Sequence, residues 1–146
     1  MTSTFRFLED IALADSAFEA RGTTPSELFT ASARAVIETL ADPATVAPAV
    51  SKTITRRDRR LPDLLFDWLA DLVFLKDAEV MVFHEAACAV AEDRVKGEWR
   101  LTGTVTGEPI DPRRHELRAD VKAITKHRYD VRQDNGDWVA TVVMDI

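Results

Sequence analysis

The chain has 146 residues, of which 46% are hydrophobic and 30% charged, and this balance is typical of one globular domain over residues 1–146. The net charge of −6 is opposite in sign to the basic surface of direct nucleic-acid binders. The one cysteine, Cys88, excludes an intramolecular disulfide. The N-terminal residues do not resemble a signal peptide and no apolar run approaches the length of a membrane span, which predicts a cytoplasmic protein.

Alternation of apolar and polar residues predicts strands, and apolar residues at helical spacing predict helices. Thr24, Pro25 and Glu27 form a capping box at the start of the first helix. The predicted elements are strands over 4–9 and 16–22, a helix over 25–41, a strand over 50–56, a helix from 62 to about 76, and strands over 81–93, 98–107, 121–133 and 137–146. The order β-β-α-β-α-β-β-β-β predicts an α+β fold, with two helices packed on a largely antiparallel sheet.

The last two strands flank Asn135-Gly136, a strong signal for a two-residue hairpin turn. Counting back from that turn places Lys126 opposite Asp145, His127 opposite Met144 and Thr125 opposite Ile146. Alternation then predicts a core face made of Val121, Ala123, His127, Tyr129, Val131, Ala140, Val142 and Met144. The same register predicts that Asp145 shares the opposite face with Val143, Lys122, Ile124, Lys126 and Arg128.

Two charged stretches each have a structural and a functional interpretation. The basic run Arg56, Arg57, Arg59 and Arg60 is typical of a solvated loop entering a helix, with nucleic-acid binding as the alternative. Asp63, Asp67 and Asp71 recur every four residues on one helix face, which is either solvated or docked to a basic partner. His84 is predicted to be a hydrogen-bonded structural residue, and Cys88 to be buried and inert.

The chain lacks phosphate loops, metal-binding CxxC pairs and the usual hydrolase motifs, and its three histidines are scattered. Its candidate chemistry is therefore based on oxygen ligands. Asp145, the carboxylate of Ile146 and Asp15 match the preference of a hard divalent cation such as calcium. Sequence alone does not bring Asp15 to Asp145, and an ordinary cross-strand pair between Lys126 and Asp145 is the competing interpretation.

Several stretches, taken together and in order, resemble the archease family. They are Phe7–Asp10, Ala14-Asp15, Phe18–Gly22, Leu64–Leu72, Gly107–His115, Val121–His127 and the ending Val142–Ile146. The chain departs from the family before Asp15, where Glu9–Asp15 is two residues longer than the usual Glu-His-Thr-Ala-Asp and lacks its histidine. Lys126 stands where the family commonly has a larger apolar or aromatic residue. Ala70 stands where an asparagine is common.

The resemblance implies an activator protein of the RtcB-type RNA ligase, not an enzyme. Such a protein promotes guanylylation of the ligase's histidine and multiple turnover in tRNA splicing or RNA repair. RNA and GTP are then met only through the ligase, and no membrane is involved. The family is also linked to chaperone-like modulation of RNA-modifying methyltransferases, which makes such an enzyme a second expected partner.

The resemblance also implies site residues. It assigns a divalent cation, calcium, to Asp15, Asp145 and the carboxylate of Ile146, and it matches Lys122 to the lysine that the family needs for activation. Two other classes compete with this interpretation. A metal-dependent phosphoesterase would use the same carboxylates, and a general chaperone would have a merely structural terminus.

Overall fold

A computed structural model describes residues 3–8 and 15–146. The helices are α1 (Pro25–Leu40) and α2 (Leu61–Ala78), with a short 3-10 turn at Pro43–Thr45. The strands are β1 (Thr4–Leu8), β2 (Asp15–Gly22), β3 (Val50–Asp58), β4 (Met81–Asp93), β5 (Glu98–Pro109), β6 (Ala123–Asp134) and β7 (Asp137–Asp145). The predicted α+β class and element order are confirmed. Glu9, predicted to end the first strand, lies outside the described residues, as do Asp10 and Ala14.

The strands form two antiparallel sheets rather than one. The larger sheet has the order β1-β2-β7-β6 and the smaller sheet has the order β3-β5-β4. Each helix contacts both sheets. Helix α1 contacts β2 and β4, and helix α2 contacts β3 and β6. The main core cluster accordingly takes residues from both helices and both sheets. No helix in the described ranges is long and apolar enough to cross a membrane.

Local sequence explains how α1 begins. The Thr24 hydroxyl accepts a hydrogen bond from the Glu27 amide at 3.1 Å, and the Glu27 carboxylate accepts one from the Thr23 amide at 3.0 Å. Pro25 occupies the first helical position, where no donor is needed. The capping box predicted from the sequence is therefore confirmed, with Glu27 reaching back one residue further than Thr24.

Helix α2 buries a broad apolar stripe. At the centre of the stripe, the fully buried Trp68 donates its indole N–H to the Phe29 carbonyl at 3.1 Å. Gly103 of β5 leaves room for this ring, because a Cβ at that position would lie 2.5 Å from a Trp68 ring atom. The buried residues of the helix are Leu61, Leu64, Leu65, Trp68, Leu69, Leu72, Val73 and Lys76. Helix α2 therefore ties α1 to the smaller sheet through one indole.

The β6–β7 hairpin follows the predicted register only near its turn. Asn135 and Gly136 have φ values of 52° and 85°, as a type I′ turn requires. Asp134 then pairs with Asp137, as predicted. Further along, Ala123 rather than Lys126 lies opposite Asp145. The four residues Lys126–Tyr129 correspond to one residue of β7, so that β6 carries three extra residues there.

Contacts with α2 explain the irregular segment. The Tyr129 hydroxyl donates to the Pro62 carbonyl at 2.6 Å, and the Lys126 ammonium lies 4.0 Å from the centre of the Phe66 ring. Lys126 also lies 3.7 Å from Asp63, so the alternative pairing of Lys126 with Asp145 is wrong. Arg128 takes a φ of 54° as the chain loops out. These contacts replace ladder hydrogen bonds over one short stretch.

The odd number of extra residues reverses the faces predicted for the start of β6. Ile124, predicted to share a face with Asp145, instead packs into the core opposite Met144. Ala123, predicted to be in the core, lies on the Asp145 face. Tyr129 and Val131 keep their predicted contact with the core, whereas His127 is exposed. A shift by an odd number of residues has this effect because side chains alternate between faces.

Candidate metal centre at the ends of β2 and β7

The described structure brings together two of the acidic residues singled out from the sequence. Asp15 begins β2, Asp145 ends β7, and the two are directly opposite each other in the antiparallel ladder. Opposite residues in such a ladder point to the same face, with Cβ atoms about 4.5–5.5 Å apart. Both side chains are partly exposed. The fold thus places two carboxylates 130 positions apart in sequence side by side.

The face on which they lie follows from the burial of their neighbours. Phe18 and Met144 are buried on the core side of the sheet, so Asp15 and Asp145 project from the other side. Ile146 follows Asp145 directly, and its side chain packs against the core. The main chain of Ile146 therefore lies next to the two carboxylates.

Lys122 reaches the same place through its backbone. Its amide donates a hydrogen bond to the Asp145 carbonyl at 2.8 Å, and its side chain is exposed. The predicted sharing of a face by Lys122 and Asp145 is wrong, because Ala123 is the residue opposite Asp145. What brings Lys122 close is the hydrogen bond just before β6 begins.

Two carboxylates at opposite positions repel each other unless a positive charge lies nearby. Within residues 3–8 and 15–146, neither Asp15 nor Asp145 forms an ion pair with a basic side chain. In the same ranges, no group of three His, Cys, Asp or Glu side chains is placed to hold a metal ion. Coordination by side chains of the described residues alone would therefore rest on these two aspartates, and further oxygens would have to come from the main chain or from water.

The segment between β5 and β6 fixes the approach of Lys122. It closes the C-terminal end of α1, whose last carbonyls have no partner within the helix. Its main-chain hydrogen bonds run from Arg118 N to Leu40 O at 3.0 Å, from Ala119 N to Thr39 O at 3.0 Å, and from Asp42 N to Glu116 O at 2.9 Å. Val121 is fully buried just before Lys122. The position of Lys122 is thus set by anchored residues on both sides.

A buried polar network, which sequence reasoning did not single out, holds the start of this segment. His115 Nδ1 accepts from the Asp111 amide at 2.9 Å, so its other ring nitrogen, Nε2, carries the proton and donates to the Glu108 carboxylate. Arg114 donates to the same carboxylate. The hydrogen bond from His115 is the main reason that the pKa of Glu108 lies below its usual value. The spacing of Glu108 and His115 gives no signal of this contact.

Other charged groups prove to be paired within the molecule. Arg56 forms two hydrogen bonds with Asp71, at 2.6 and 2.8 Å, and these bonds raise the pKa of its guanidinium against the effect of burial. Arg56 also lies 3.8 Å from Asp67. Asp63 lies 3.3 Å from Arg60. The aspartate stripe of α2 is therefore already neutralised in part by this chain's own cations.

His84 and Cys88 have structural surroundings. His84 Nδ1 lies 3.2 Å from the Pro43 carbonyl, which confirms a hydrogen-bonded histidine. Cys88 is half-buried rather than fully buried, and its sulfur lies 3.8 Å from the Thr30 hydroxyl. Burial raises the pKa of this thiol to about 11, although the Thr30 contact lowers it somewhat.

Comparison with known proteins identifies relatives of this chain. Residues 5–146 match the Archease protein family (MTH1598/TM1083). The chain is 34% identical to protein archease of Methanopyrus kandleri over 91% of this chain and 94% of that protein. It is 31% identical to protein archease of Sulfurisphaera tokodaii, over 97% and 98% of the two chains.

Two solved structures share the architecture. The solution structure of Methanobacterium thermoautotrophicum protein 1598 has a TM-score of 0.81 and 32% identity, over 97% of this chain and 98% of that one. A Thermotoga maritima crystal structure, described as an archease and possible chaperone, has a TM-score of 0.61. At 17% identity over 97% of this chain and 98% of that one, it supports the fold alone. On the family match and the identities to its relatives, this chain belongs to the archease family.

Proposed function

We propose that this protein is the activator of an RtcB-type RNA ligase and promotes its guanylylation and repeated turnover. In this proposal Asp15, Asp145 and the carboxylate of Ile146 hold a divalent cation, calcium, and Lys122 acts beside it. The observation that carries the proposal is the pairing of Asp15 with Asp145 at one end of the larger sheet. Membership of the archease family supports the choice of partner.

The donor set suits a hard cation. The proposed ligands are all oxygens, which calcium and magnesium prefer over nitrogen or sulfur. Asp15 and Asp145 project from the sheet on the side away from the core, so water can complete the six to eight ligands that calcium takes. When bound, the cation would neutralise the paired carboxylates and present a positive centre to the ligase's phosphate-bearing groups.

The chain itself supplies position and charge. The ladder between β2 and β7 holds the two aspartates at a fixed separation. The hydrogen bond from the Lys122 amide to the Asp145 carbonyl keeps the two residues adjacent. The flexible Lys122 side chain can then place its ammonium against an anionic group of the bound ligase. A rigid acidic end with one mobile cation is suited to entering a partner's active site.

The decisive experiment is multiple-turnover ligation by the cognate ligase, with and without this protein. The variants are Asp15→Asn, Asp145→Asn, Lys122→Ala and a chain with one alanine added after Ile146. Asp130→Asn is the matched control, because Asp130 is also an exposed acidic residue of the same sheet. We expect the wild type and the control to stimulate turnover equally. We expect the stimulation by each of the four site variants to be at least tenfold lower than that by the wild type.

Equal stimulation by all folded variants would contradict the proposed site while leaving the ligase as partner. No stimulation by the wild type would contradict the partner itself. In that case the general chaperone-like role, which is the competing interpretation of the sequence, becomes the better candidate. Protection of an RNA-modifying methyltransferase from aggregation would then be the measurement to make.

A further inference from the structure

The outer face of the β3-β5-β4 sheet carries a block of four exposed donor side chains. Arg57 lies opposite Arg100, and Thr55 lies opposite Thr102, in the β3–β5 ladder. Thr55 and Arg57 are two residues apart on one strand, as are Arg100 and Thr102 on the other, so all four project from the same face. Together they line a shallow depression of ≈ 470 Å³. No carboxylate lines this depression within the described residues.

Two arginines directly opposite each other repel, and their nearest acidic neighbours compensate only weakly. Arg57 lies 3.7 Å from Glu98, and Arg100 lies 3.9 Å from Asp93, which is too far for a hydrogen bond in either case. Asp93 already accepts the amides of Val95 and Lys96, each at 3.1 Å. Both amides use Oδ1 of Asp93, so Oδ2 is the oxygen that faces Arg100, at a distance beyond hydrogen-bond range.

The donors of this block are left for a ligand. In the part of the chain that the structure describes, neither guanidinium and neither threonine hydroxyl makes a hydrogen bond. The neighbouring strand contributes only small residues beside them, Ala91 opposite Arg100 and Ala89 opposite Thr102. All six side chains are exposed. Nothing large therefore covers the block.

We infer that this block, Arg57, Arg100, Thr55 and Thr102, binds phosphate groups of single-stranded RNA. A tetrahedral phosphate accepts hydrogen bonds in several directions at once, whereas a carboxylate accepts them in one plane. Two opposed guanidiniums flanked by hydroxyls therefore match a phosphate better than a carboxylate. The site goes beyond ligase activation, because it lies on the other sheet from Asp15 and Asp145 and binds RNA directly.

The rest of the same face extends the block along the strands. Thr53 lies opposite Thr104 and Ser51 lies opposite Thr106, which adds two further rows of hydroxyls spaced about 6.8 Å apart. No aromatic side chain belongs to these rows, so the face offers no platform for stacking bases. Recognition through the backbone alone is sequence-independent and sensitive to salt.

The test uses the full chain and a short labelled single-stranded RNA, with binding followed by fluorescence anisotropy at low salt. The test variant is Arg57→Ala/Arg100→Ala. The matched control is Arg6→Ala/Arg132→Ala, which removes two arginines from the outer face of the other sheet, where both contact Glu19. We expect at least tenfold weaker binding by the test variant and less than a twofold change in the control. The slope of log K against the logarithm of the salt concentration should decrease in magnitude by about 1.4, or about 0.7 for each lost phosphate contact.

A second variant, Arg57→Lys/Arg100→Lys, keeps both charges and serves if the alanine variant fails to fold. We expect it to bind with intermediate affinity, because lysine lacks the two-point geometry of arginine. Equal losses in the test and control variants, or no RNA binding by the wild type, would overturn the inference. Competition by GTP as tight as that of the RNA would overturn the assignment to an RNA strand, and stronger competition by polyglutamate would overturn the assignment to phosphate.

Discussion

The ammonium of Lys76 lies 2.6 Å from the carboxylate of Asp120, although Lys76 is only 6% exposed. This contact ties the C-terminal end of α2 to the segment that delivers Lys122. Burial lowers the pKa of Lys76, but the hydrogen bonds that its ammonium donates to Asp120 and Asp77 outweigh that effect and raise the pKa overall. The lysine is therefore held in its charged form where the end of α2 contacts the segment that precedes Lys122.

Replacing Lys76 with methionine should loosen this segment. We expect a loss of about 1 kcal/mol in the free energy of unfolding, since a charged hydrogen bond disappears while Asp120 remains solvated. Amide exchange at Lys122 should also become faster. Because the pKa of Lys76 is raised in the folded state, its contribution is complete below the unfolded value of about 10.4 and is lost as the pH rises through the folded value.

Denaturant unfolding of the wild type and Lys76→Met between pH 6 and 9 checks this prediction. The stability difference should be constant over that range and change only at higher pH. Asp77→Asn is the control, because it leaves the bond between Lys76 and Asp120 in place. A control that loosens Lys122 as much as Lys76→Met does would contradict the assignment to Asp120.

Glu108 should make the fold sensitive to acid. Its pKa is lowered by the hydrogen bond from His115, so the unfolded state binds its proton first as the pH falls. The carboxylate therefore contributes stability above its unfolded pKa of about 4.3, and that contribution is lost as the pH falls through the folded value. Glu108→Gln should flatten the dependence of stability on pH below about 5. If the free energy of unfolding depends on pH in the same way in the wild type and in Glu108→Gln, Glu108 does not contribute to the acid sensitivity.

Calcium should stabilise the folded chain if the paired aspartates form the proposed site. A ligand that binds only the native state at a hundred times its dissociation constant adds about 2.7 kcal/mol to the free energy of unfolding. Thermal unfolding with calcium and with a chelator should thus differ for the wild type. The difference should vanish in Asp145→Asn and persist in the control Asp130→Asn. An unchanged melting temperature in the wild type at millimolar calcium would argue against the site.

Cys88 should react slowly in the native protein. Burial raises the pKa of its thiol from 9.0 to about 11, which lowers the fraction of reactive thiolate at neutral pH roughly a hundredfold. Alkylation by iodoacetamide at pH 8 should be slower than in the unfolded chain by at least that factor. Thr30→Ala, which removes the hydroxyl 3.8 Å from the sulfur, should slow the reaction further. Equal rates in folded and unfolded protein would contradict the burial of this thiol.

Local chemistry made most of the fold predictable. The capping box at Thr24 and Glu27 sets the start of α1, and the positive φ values of Asn135 and Gly136 set the last turn. Element boundaries agree with the sequence within about two residues because caps, turns and periodicity act over a few neighbours. The same local signals do not say which strands join which sheet, and the division into two sheets was therefore not predicted.

The site was harder to predict because it depends on contacts distant in sequence. Counting from the turn gives the wrong partner for Asp145, since the bond from Tyr129 to the Pro62 carbonyl draws β6 out of the ladder. The pairing of Asp15 with Asp145 does not follow from spacing: the preference of a hard cation for oxygen ligands made Asp15 a candidate, and the family resemblance strengthened it. The opposed Arg57 and Arg100 likewise depend on the pairing of β3 with β5, between which α2 and β4 lie in the sequence.

The central place of β7 has a consequence for biosynthesis. This strand follows all the others in the sequence but lies between β2 and β6 in the sheet. Until β7 has been made, β2 has no partner on that side, and Phe18 and Ala20 lack the residues that lie opposite them, Val142 and Ala140. The sheet closes only when the nine residues of β7 insert, and the same step sets Asp15 beside Asp145. A chain that lacks β7 therefore lacks the paired aspartates. The acidic end of the sheet forms only when the fold is complete.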